Sequence, residues 1–155
     1  MTNIDITNGI VFQALSINKD SFDDRLIAQK KIYLLQELGI NIGYSFNWYI
    51  RGPYSPHLTS YLYNNYDMLK EQDFTKYHLS DPAKKTINKV NDFSKACPES
   101  LSNASWYELL ASVLYIIKNW KEKDTFDTLT KYKPKYKKEE YEIAIAQLQH
   151  TGCIK

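Results

Sequence analysis

The sequence has few of the residues on which several protein classes depend. It contains two cysteines, Cys97 and Cys153, which are too few for a disulfide scaffold, and Met1–Gly9 lacks the basic and apolar regions of a secretory signal. The protein is therefore expected to be cytoplasmic, with reduced thiols. Its five glycines are scattered and form no phosphate-binding loop. The most apolar stretch, Leu109–Ile117, is nine residues long, whereas a bilayer-spanning helix needs about 20, so no membrane association is expected.

Residues that could perform catalysis are also few and far apart. The three histidines, His57, His78 and His150, are widely separated, and neither cysteine has a second ligand at the spacing of a zinc site. Cys153 follows His150 by three residues, but both lie near the end of the chain, where preorganised sites are rare. The sequence therefore predicts a protein that is not an enzyme, with no metal and no cofactor. An enzyme whose site is not visible in the sequence stays open as a third hypothesis.

Apolar and aromatic residues, by contrast, are abundant. Of the 155 residues, 43% are hydrophobic and 14% are aromatic, which is enough to offset the entropy lost when a chain is ordered. The composition predicts a single domain over residues 1–155. It is expected to have an N-terminal part, residues 1–97, and a C-terminal helical part, residues 98–155.

The spacing of the apolar residues predicts a mainly α fold (α+β) with one or two short β segments. The expected helices are Ile4–Ile17, Arg25–Leu38, Pro56–Asn64, Tyr66–Gln72, Asp81–Cys97, a helix that follows a capping box at Ser105–Glu108, and Glu139–His150. The expected β segments are Ser45–Ile50 and Phe74–Leu79, with a turn at Arg51–Pro56. This order is compatible with a compact helical domain that has a winged helix-turn-helix-like core.

Four residues are expected to mark helix ends. Ser55 precedes a proline and can cap the helix that begins at Pro56, and Asp81 can cap the next helix in the same way. Gly39 and Gly152 follow apolar periodic segments and are expected at helix C-termini.

Two segments of the N-terminal part form a pattern with family resemblance. The first is Gln29–Leu35, with the sequence QKKIYLL, and the second is the aromatic-rich segment Phe46–Ser55, which ends in Gly-Pro-Tyr-Ser. In their order and separation these segments resemble the Panacea (SocA-like antitoxin) domain and the related YwgA-like proteins, over residues 25–63. The Tyr-Ser after Gly-Pro is closer to the YwgA-like branch.

The resemblance implies a helical fold with winged-helix character. It also implies an antitoxin-like or regulatory protein that binds another protein directly, and that is encoded in a mobile-element or phage-defence setting. The family motif supplies no catalytic residue. The resemblance therefore favours a non-enzymatic protein-binding module.

Lys30, inside the first segment of the pattern, falls within the apolar arc of its helix. A buried amine needs a partner. That partner is expected to be a backbone carbonyl or a carboxylate such as Asp24, Glu37 or Asp67. The favoured interpretation is structural, a lysine that fixes the Gly-Pro loop, and presentation of the amine to a ligand is the alternative.

The second segment supplies the candidate interface. Aromatic residues with an arginine are typical of interface hot spots, and alternation places Phe46 and Trp48 inward. The helix that starts at Pro56 has no arginine or lysine before Asn65, which disfavours readout of bases in the major groove. The predicted partner-binding residues are Tyr49, Arg51, Tyr54, His57 and Tyr61.

A lysine-rich stretch supports an alternative. The net charge is only +2, but Lys118–Lys138 holds eight lysines and three acidic residues. Lysines interleaved with aromatic residues can bind phosphates and stack on bases. This stretch predicts a winged-helix nucleic-acid-binding protein as the second hypothesis. Its candidate residues are Lys131, Lys133, Lys135, Tyr136, Lys137 and Lys138. The sequence also leaves a homodimer open, because tyrosine is in surplus.

Overall fold

Seven α-helices and one β-hairpin make up the described part of the chain, residues 1–121 and 123–155 of a computed structural model. The helices are α1 (Asn3–Ala14), α2 (Phe22–Glu37), α3 (Pro56–Lys70), α4 (Asp81–Asp92), α5 (Asn103–Asn119), α6 (Thr125–Tyr132) and α7 (Lys138–Thr151). A 3₁₀ turn, Phe93–Ala96, follows α4. The hairpin strands are β1 (Asn47–Tyr49) and β2 (Gly52–Tyr54). The predicted mainly helical class with short β segments is confirmed, and the winged helix-turn-helix core stays a prediction.

Helix α5 lies at the centre of the molecule. Most of its residues are buried, and it packs against α2, α6, α7 and the hairpin. A hydrophobic cluster extends through the sequence from Val11 to Cys153. Both predicted parts, residues 1–97 and 98–155, therefore contribute side chains to the same core.

Serine side chains begin four of the helices. The Oγ atoms of Ser21, Ser55, Ser80 and Ser102 each accept a hydrogen bond from a backbone N–H in the first turn of α2, α3, α4 and α5. The prediction for Ser55 is confirmed. The start of α4 is shifted by one residue, because Ser80 rather than Asp81 provides the cap.

The predicted capping box at Ser105–Glu108 is wrong. Ser102 already accepts the N–H of Ser105 at 3.1 Å, so α5 begins three residues earlier than the box would place it. Glu108 consequently lies inside the helix, where it is 1% exposed. A residue expected at a solvent-facing helix start is instead a buried carboxylate.

Three further predictions of secondary structure are wrong. Helix α3 does not end near Asn64 but continues to Lys70, because Leu62 and Leu69 are both buried on its inner face. The separate helix predicted from Tyr66 is the end of α3. Phe74–Leu79 forms no strand, since the ring of Phe74 packs into the core as the chain turns. Helix α6 was not predicted.

The hairpin replaces the predicted turn at Arg51–Pro56. Gly52 and Pro53 belong to β2, where Pro53 pairs with Trp48 and Gly52 with Tyr49. The turn is made by Ile50 and Arg51. A proline fits this strand because the sheet has only two strands, so β2 has a free edge that needs no N–H donor from it.

Gly52 fixes the approach of the hairpin to α5. Its φ is +86°, and a Cβ atom at this position would lie 2.5 Å from Ser112 Oγ. Gly152, at the C-terminus of α7, has the same φ of +86° but open space around it. Both glycines therefore have a positive φ that other residues rarely adopt, but only at Gly52 would a side chain also clash with a neighbouring atom.

We expect Gly52→Ala to lower the free energy of unfolding by about 1 kcal/mol more than Gly152→Ala, because overpacking adds to the cost of a positive φ. Urea denaturation of both variants measures this difference. Adding Ser112→Ala should remove it, since Ser112 Oγ is the atom that the new methyl group meets. Equal losses in the two glycine variants would contradict the close approach.

Candidate functional site

The hairpin backbone is held by side chains from distant parts of the chain. Lys30 Nζ of α2 donates to the Pro53 carbonyl at 2.6 Å. Lys133 Nζ, which follows α6, donates to the Ile50 carbonyl at 2.8 Å. Gln29 pairs with both the N–H and the carbonyl of Ser55, at 2.9 Å each. The hairpin is therefore fixed at its turn and in β2 as far as the start of α3.

Of the two kinds of partner that the sequence left open for Lys30, the structure shows a backbone carbonyl, that of Pro53 in the Gly-Pro segment. The side chain is fully buried. Burial lowers the pKa of Lys30 from 10.5 to about 7, although the nearby Glu108 carboxylate acts in the opposite direction. Asp24, Glu37 and Asp67, the carboxylates named as alternatives, are not among its described partners.

Glu108 is the only carboxylate in a cluster of cations around the hairpin within the described residues. Its side chain lies 3.4 Å from Lys133 Nζ, 3.6 Å from Lys135 Nζ and 3.7 Å from Arg51 Nη1. Tyr136 donates a hydrogen bond to Glu108 Oε2 at 2.9 Å. Lys133 is buried as well, and burial lowers the pKa of its amine. The cluster thus contains more positive than negative groups. The positive groups that are accessible to solvent are those of Arg51 and Lys135, which are half exposed.

The lysine-rich stretch is divided between the interior and the surface. Lys133 and Tyr136 are buried and bonded to the hairpin and to Glu108. Tyr136 therefore cannot stack on a base in this structure, and Lys133 cannot reach a phosphate, contrary to what the nucleic-acid hypothesis expects of them. The exposed members of the set are Lys131, Lys135, Lys137 and Lys138.

A surface of exposed aromatic and apolar side chains surrounds the hairpin turn. Ile50 is 91% exposed, Tyr63 is 55%, Phe22 is 54% and Tyr49 is 45%. The Arg51 guanidinium lies over the Phe22 ring at 5.5 Å, and the Tyr49 and Tyr54 rings meet edge to face at 5.2 Å. We call this region the hairpin surface; its residues are Phe22, Tyr49, Ile50, Arg51, Tyr54 and Tyr63.

Part of the hairpin surface is concave. A groove of about 300 Å³ lies between α2, the hairpin and α3. This volume is at the lower end of the range of about 300–1,000 Å³ for small-molecule sites. The groove is lined by Phe22, Arg25, Leu26, Gln29, Arg51, Tyr54, Thr59 and Tyr63.

The predicted partner-binding residues fall on two faces. Tyr49, Arg51 and Tyr54 lie together on the hairpin surface, with Tyr49 and Arg51 exposed. Tyr61 instead faces α1, where its hydroxyl donates to Asp5 at 2.6 Å. His57 is exposed one turn earlier on α3, with its ring against Tyr44. The structure therefore does not bring His57 and Tyr61 into the groove.

Phe22 and the buried role of Glu108 were missed by sequence reasoning, whereas Tyr63 was expected on the polar side of the helix that starts at Pro56 but was not included among the predicted partner-binding residues. Phe22 begins α2 and Tyr63 lies within α3, and their proximity to Arg51 depends on how these two helices pack. Glu108 could have been noticed, because it is the only acidic residue in an otherwise apolar helix. The capping-box interpretation placed Glu108 at a helix N-terminus, so it was not expected to be a buried partner of cations.

Two other kinds of site are not found among the described residues, a membrane-spanning helix and a group of metal ligands. None of the helices in residues 1–121 and 123–155 is both long and apolar enough to span a bilayer. Within the same ranges, no three His, Cys, Asp or Glu side chains are grouped as metal ligands.

Comparisons of the chain with protein-family models, with curated proteins and with solved structures find no match. The resemblance of residues 25–63 to the Panacea and YwgA-like domains therefore stays a prediction.

Proposed function

We propose that this protein is a non-enzymatic binding module, antitoxin-like or regulatory, that engages another protein through the hairpin surface. The observation that carries the proposal is the exposure of Phe22, Tyr49, Ile50 and Tyr63 around one turn. Exposed apolar patches mark interaction sites, and tyrosine and arginine are enriched among residues that dominate binding energy. The antitoxin-like role and the mobile-element or phage-defence setting rest on the resemblance.

The anchoring of the hairpin supports this proposal. Its carbonyls are bonded to the buried amines of Lys30 and Lys133. An interface on a fixed backbone loses less conformational entropy on binding than one on a mobile loop. The exposed rings are therefore presented in a preorganised arrangement.

The proposal is tested by affinity capture from the native host at high salt. We expect the tagged wild-type protein to retain one stoichiometric partner, because the apolar contacts of the hairpin surface persist when salt screens the charged contacts. Ile50→Ser should lose that partner, whereas Ile143→Ser, at an exposed position on α7, should keep it. Growth arrest by the partner, relieved by co-expression of this protein, would establish the antitoxin role.

Two results would contradict the proposal. One is a partner that both isoleucine variants retain equally, since binding would then not involve the hairpin surface. The other is capture of nucleic acid alone, released as salt rises, which would favour the lysine-rich stretch.

A further inference from the structure

The charged side chains that are described as lining the groove are all positive. Arg25 and Arg51 both line it, and none of its described lining residues is acidic. One N–H of Arg25 donates to the Lys19 carbonyl at 2.9 Å, which uses one of the five donors of a guanidinium. The groove is therefore rich in donors and in positive charge.

The hydrogen bonds behind the groove leave a third donor available beside it. Ser55 N–H donates to Gln29 Oε1, so the Gln29 amide nitrogen is the group that donates to Thr59 Oγ1, at 3.0 Å. Thr59 in turn donates to the Tyr54 hydroxyl oxygen at 2.6 Å. The Tyr54 hydroxyl oxygen is the acceptor in this last bond. Its own hydrogen therefore remains available for donation to a ligand in the groove.

The cluster beside the groove adds to the positive potential. Glu108 is the only described carboxylate near Arg51, Lys133 and Lys135, and it is shared among them at 3.4–3.7 Å. These distances are longer than good charge-assisted hydrogen bonds of about 2.7–2.9 Å. Arg51 and Lys135 are also half exposed. Arg51 thus retains donor capacity for a partner of opposite charge.

The apolar part of the groove limits the class of ligand. Phe22 and Tyr63 both line the groove and are each more than half exposed. A small anion bound beside them would leave the two rings in contact with water. Helix α3, which forms one wall, contains no arginine and a single lysine, Lys70, at its far end. A polyanion such as nucleic acid would meet few cations along this wall, whereas a peptide can supply both a carboxylate and an apolar side chain.

We propose that the groove binds an acidic segment of the partner protein, with an Asp or Glu carboxylate accepting hydrogen bonds from Arg51, Arg25 and Tyr54. A neighbouring aromatic or aliphatic side chain of that segment packs on Phe22 and Tyr63. This inference rests on the proposed function and names the chemistry of its partner.

A random-peptide phage library selected on the full chain tests the inference. We expect the selected peptides to be enriched in Asp or Glu next to an aromatic or aliphatic residue. Fluorescence anisotropy then compares one selected peptide with its amide counterpart, in which Asn and Gln replace Asp and Glu. The amide peptide should bind about tenfold more weakly, the scale expected for loss of a charged hydrogen bond.

Variants of the protein show whether the difference in affinity between the acidic and amide peptides arises in the groove. Arg51→Gln should weaken the acidic peptide about tenfold and leave the amide peptide unchanged, and Tyr54→Phe should weaken the acidic peptide about fivefold. Lys84→Gln removes an exposed cation of α4 outside the groove and should change neither affinity. Thermal unfolding of each variant verifies that it is folded.

The outcomes separate this inference from the proposed function. Neutral peptides that bind wild type and are lost with Tyr63→Ala would overturn the acidic partner but leave protein binding at the hairpin surface intact. Failure to select any peptide would overturn the acidic segment, whereas affinity capture with the Ile50→Ser and Ile143→Ser variants would still decide whether a protein binds the hairpin surface. Oligonucleotides that displace the acidic peptide and require Arg51 would identify phosphate as the ligand and overturn the inference.

Discussion

Glu108→Gln is expected to lower the free energy of unfolding at pH 7 by about 3 to 5 kcal/mol, the range for removing one partner of a buried ion pair. The amide preserves the size of the side chain and can still accept the Tyr136 hydrogen bond, but it has no charge. Lys133, only 4% exposed at its side chain, would then be a buried cation without a compensating anion. Urea denaturation monitored by circular dichroism measures the loss.

Glu142→Gln is the matched control, because Glu142 is exposed on α7 and its change should stay within about 0.5 kcal/mol. The double variant Glu108→Gln with Lys133→Met should lose less than the sum of the two single variants, since each residue compensates the other. A loss below about 1 kcal/mol for Glu108→Gln would show that the carboxylate is not needed to hold the cluster.

The stability of the wild-type protein is expected to rise with pH above neutrality because of Lys30. Burial holds the pKa of this amine at about 7 in the folded protein, against 10.5 when exposed. Between these values the unfolded chain binds the proton and the folded protein does not, so folding becomes more favourable as pH rises. The contribution from pH 7 to pH 9 is roughly 2 kcal/mol, and below pH 7 the full penalty applies.

Lys30→Met isolates this contribution. The burial of Lys31 and Lys133 lowers their pKa values too, and both remain in the variant, so their effects cancel in the comparison. We expect the free energy of unfolding to rise more steeply from pH 7 to pH 9 in wild type than in Lys30→Met. Lys84→Met, at an exposed position, should retain the wild-type slope. Identical slopes in all three proteins would refute the buried, largely neutral amine.

Local signals in the sequence were sufficient for much of the fold. Ser55 followed by Pro56 located the start of α3, and Gly152 ends α7 in the left-handed conformation that favours glycine. Such signals work because a cap depends on neighbours within four residues. The length of α3 could not be predicted in the same way, since it continues past Asn64 only because Leu69 is buried by distant parts of the chain.

The site was predictable where one segment supplied it. Tyr49, Arg51 and Tyr54 were expected to be accessible as a group, and they share the hairpin surface. The roles of Lys133 and Tyr136 were not predictable, because the pattern of lysines and tyrosines is the same whether a side chain is buried or exposed. Their burial depends on partners far away in the chain, Glu108 for both residues and the Ile50 carbonyl for Lys133.

The two lysines that hold the hairpin are made at very different times during synthesis. Lys30 is translated before the hairpin, whereas Lys133 and Tyr136 follow it by about eighty residues. A nascent chain that has just exposed residues 1–97 from the ribosome has neither α5 nor the second anchor. The second anchor of the hairpin is therefore added long after the hairpin itself, and a chain truncated before residue 133 would contain every residue of the hairpin surface but lack the Lys133 anchor.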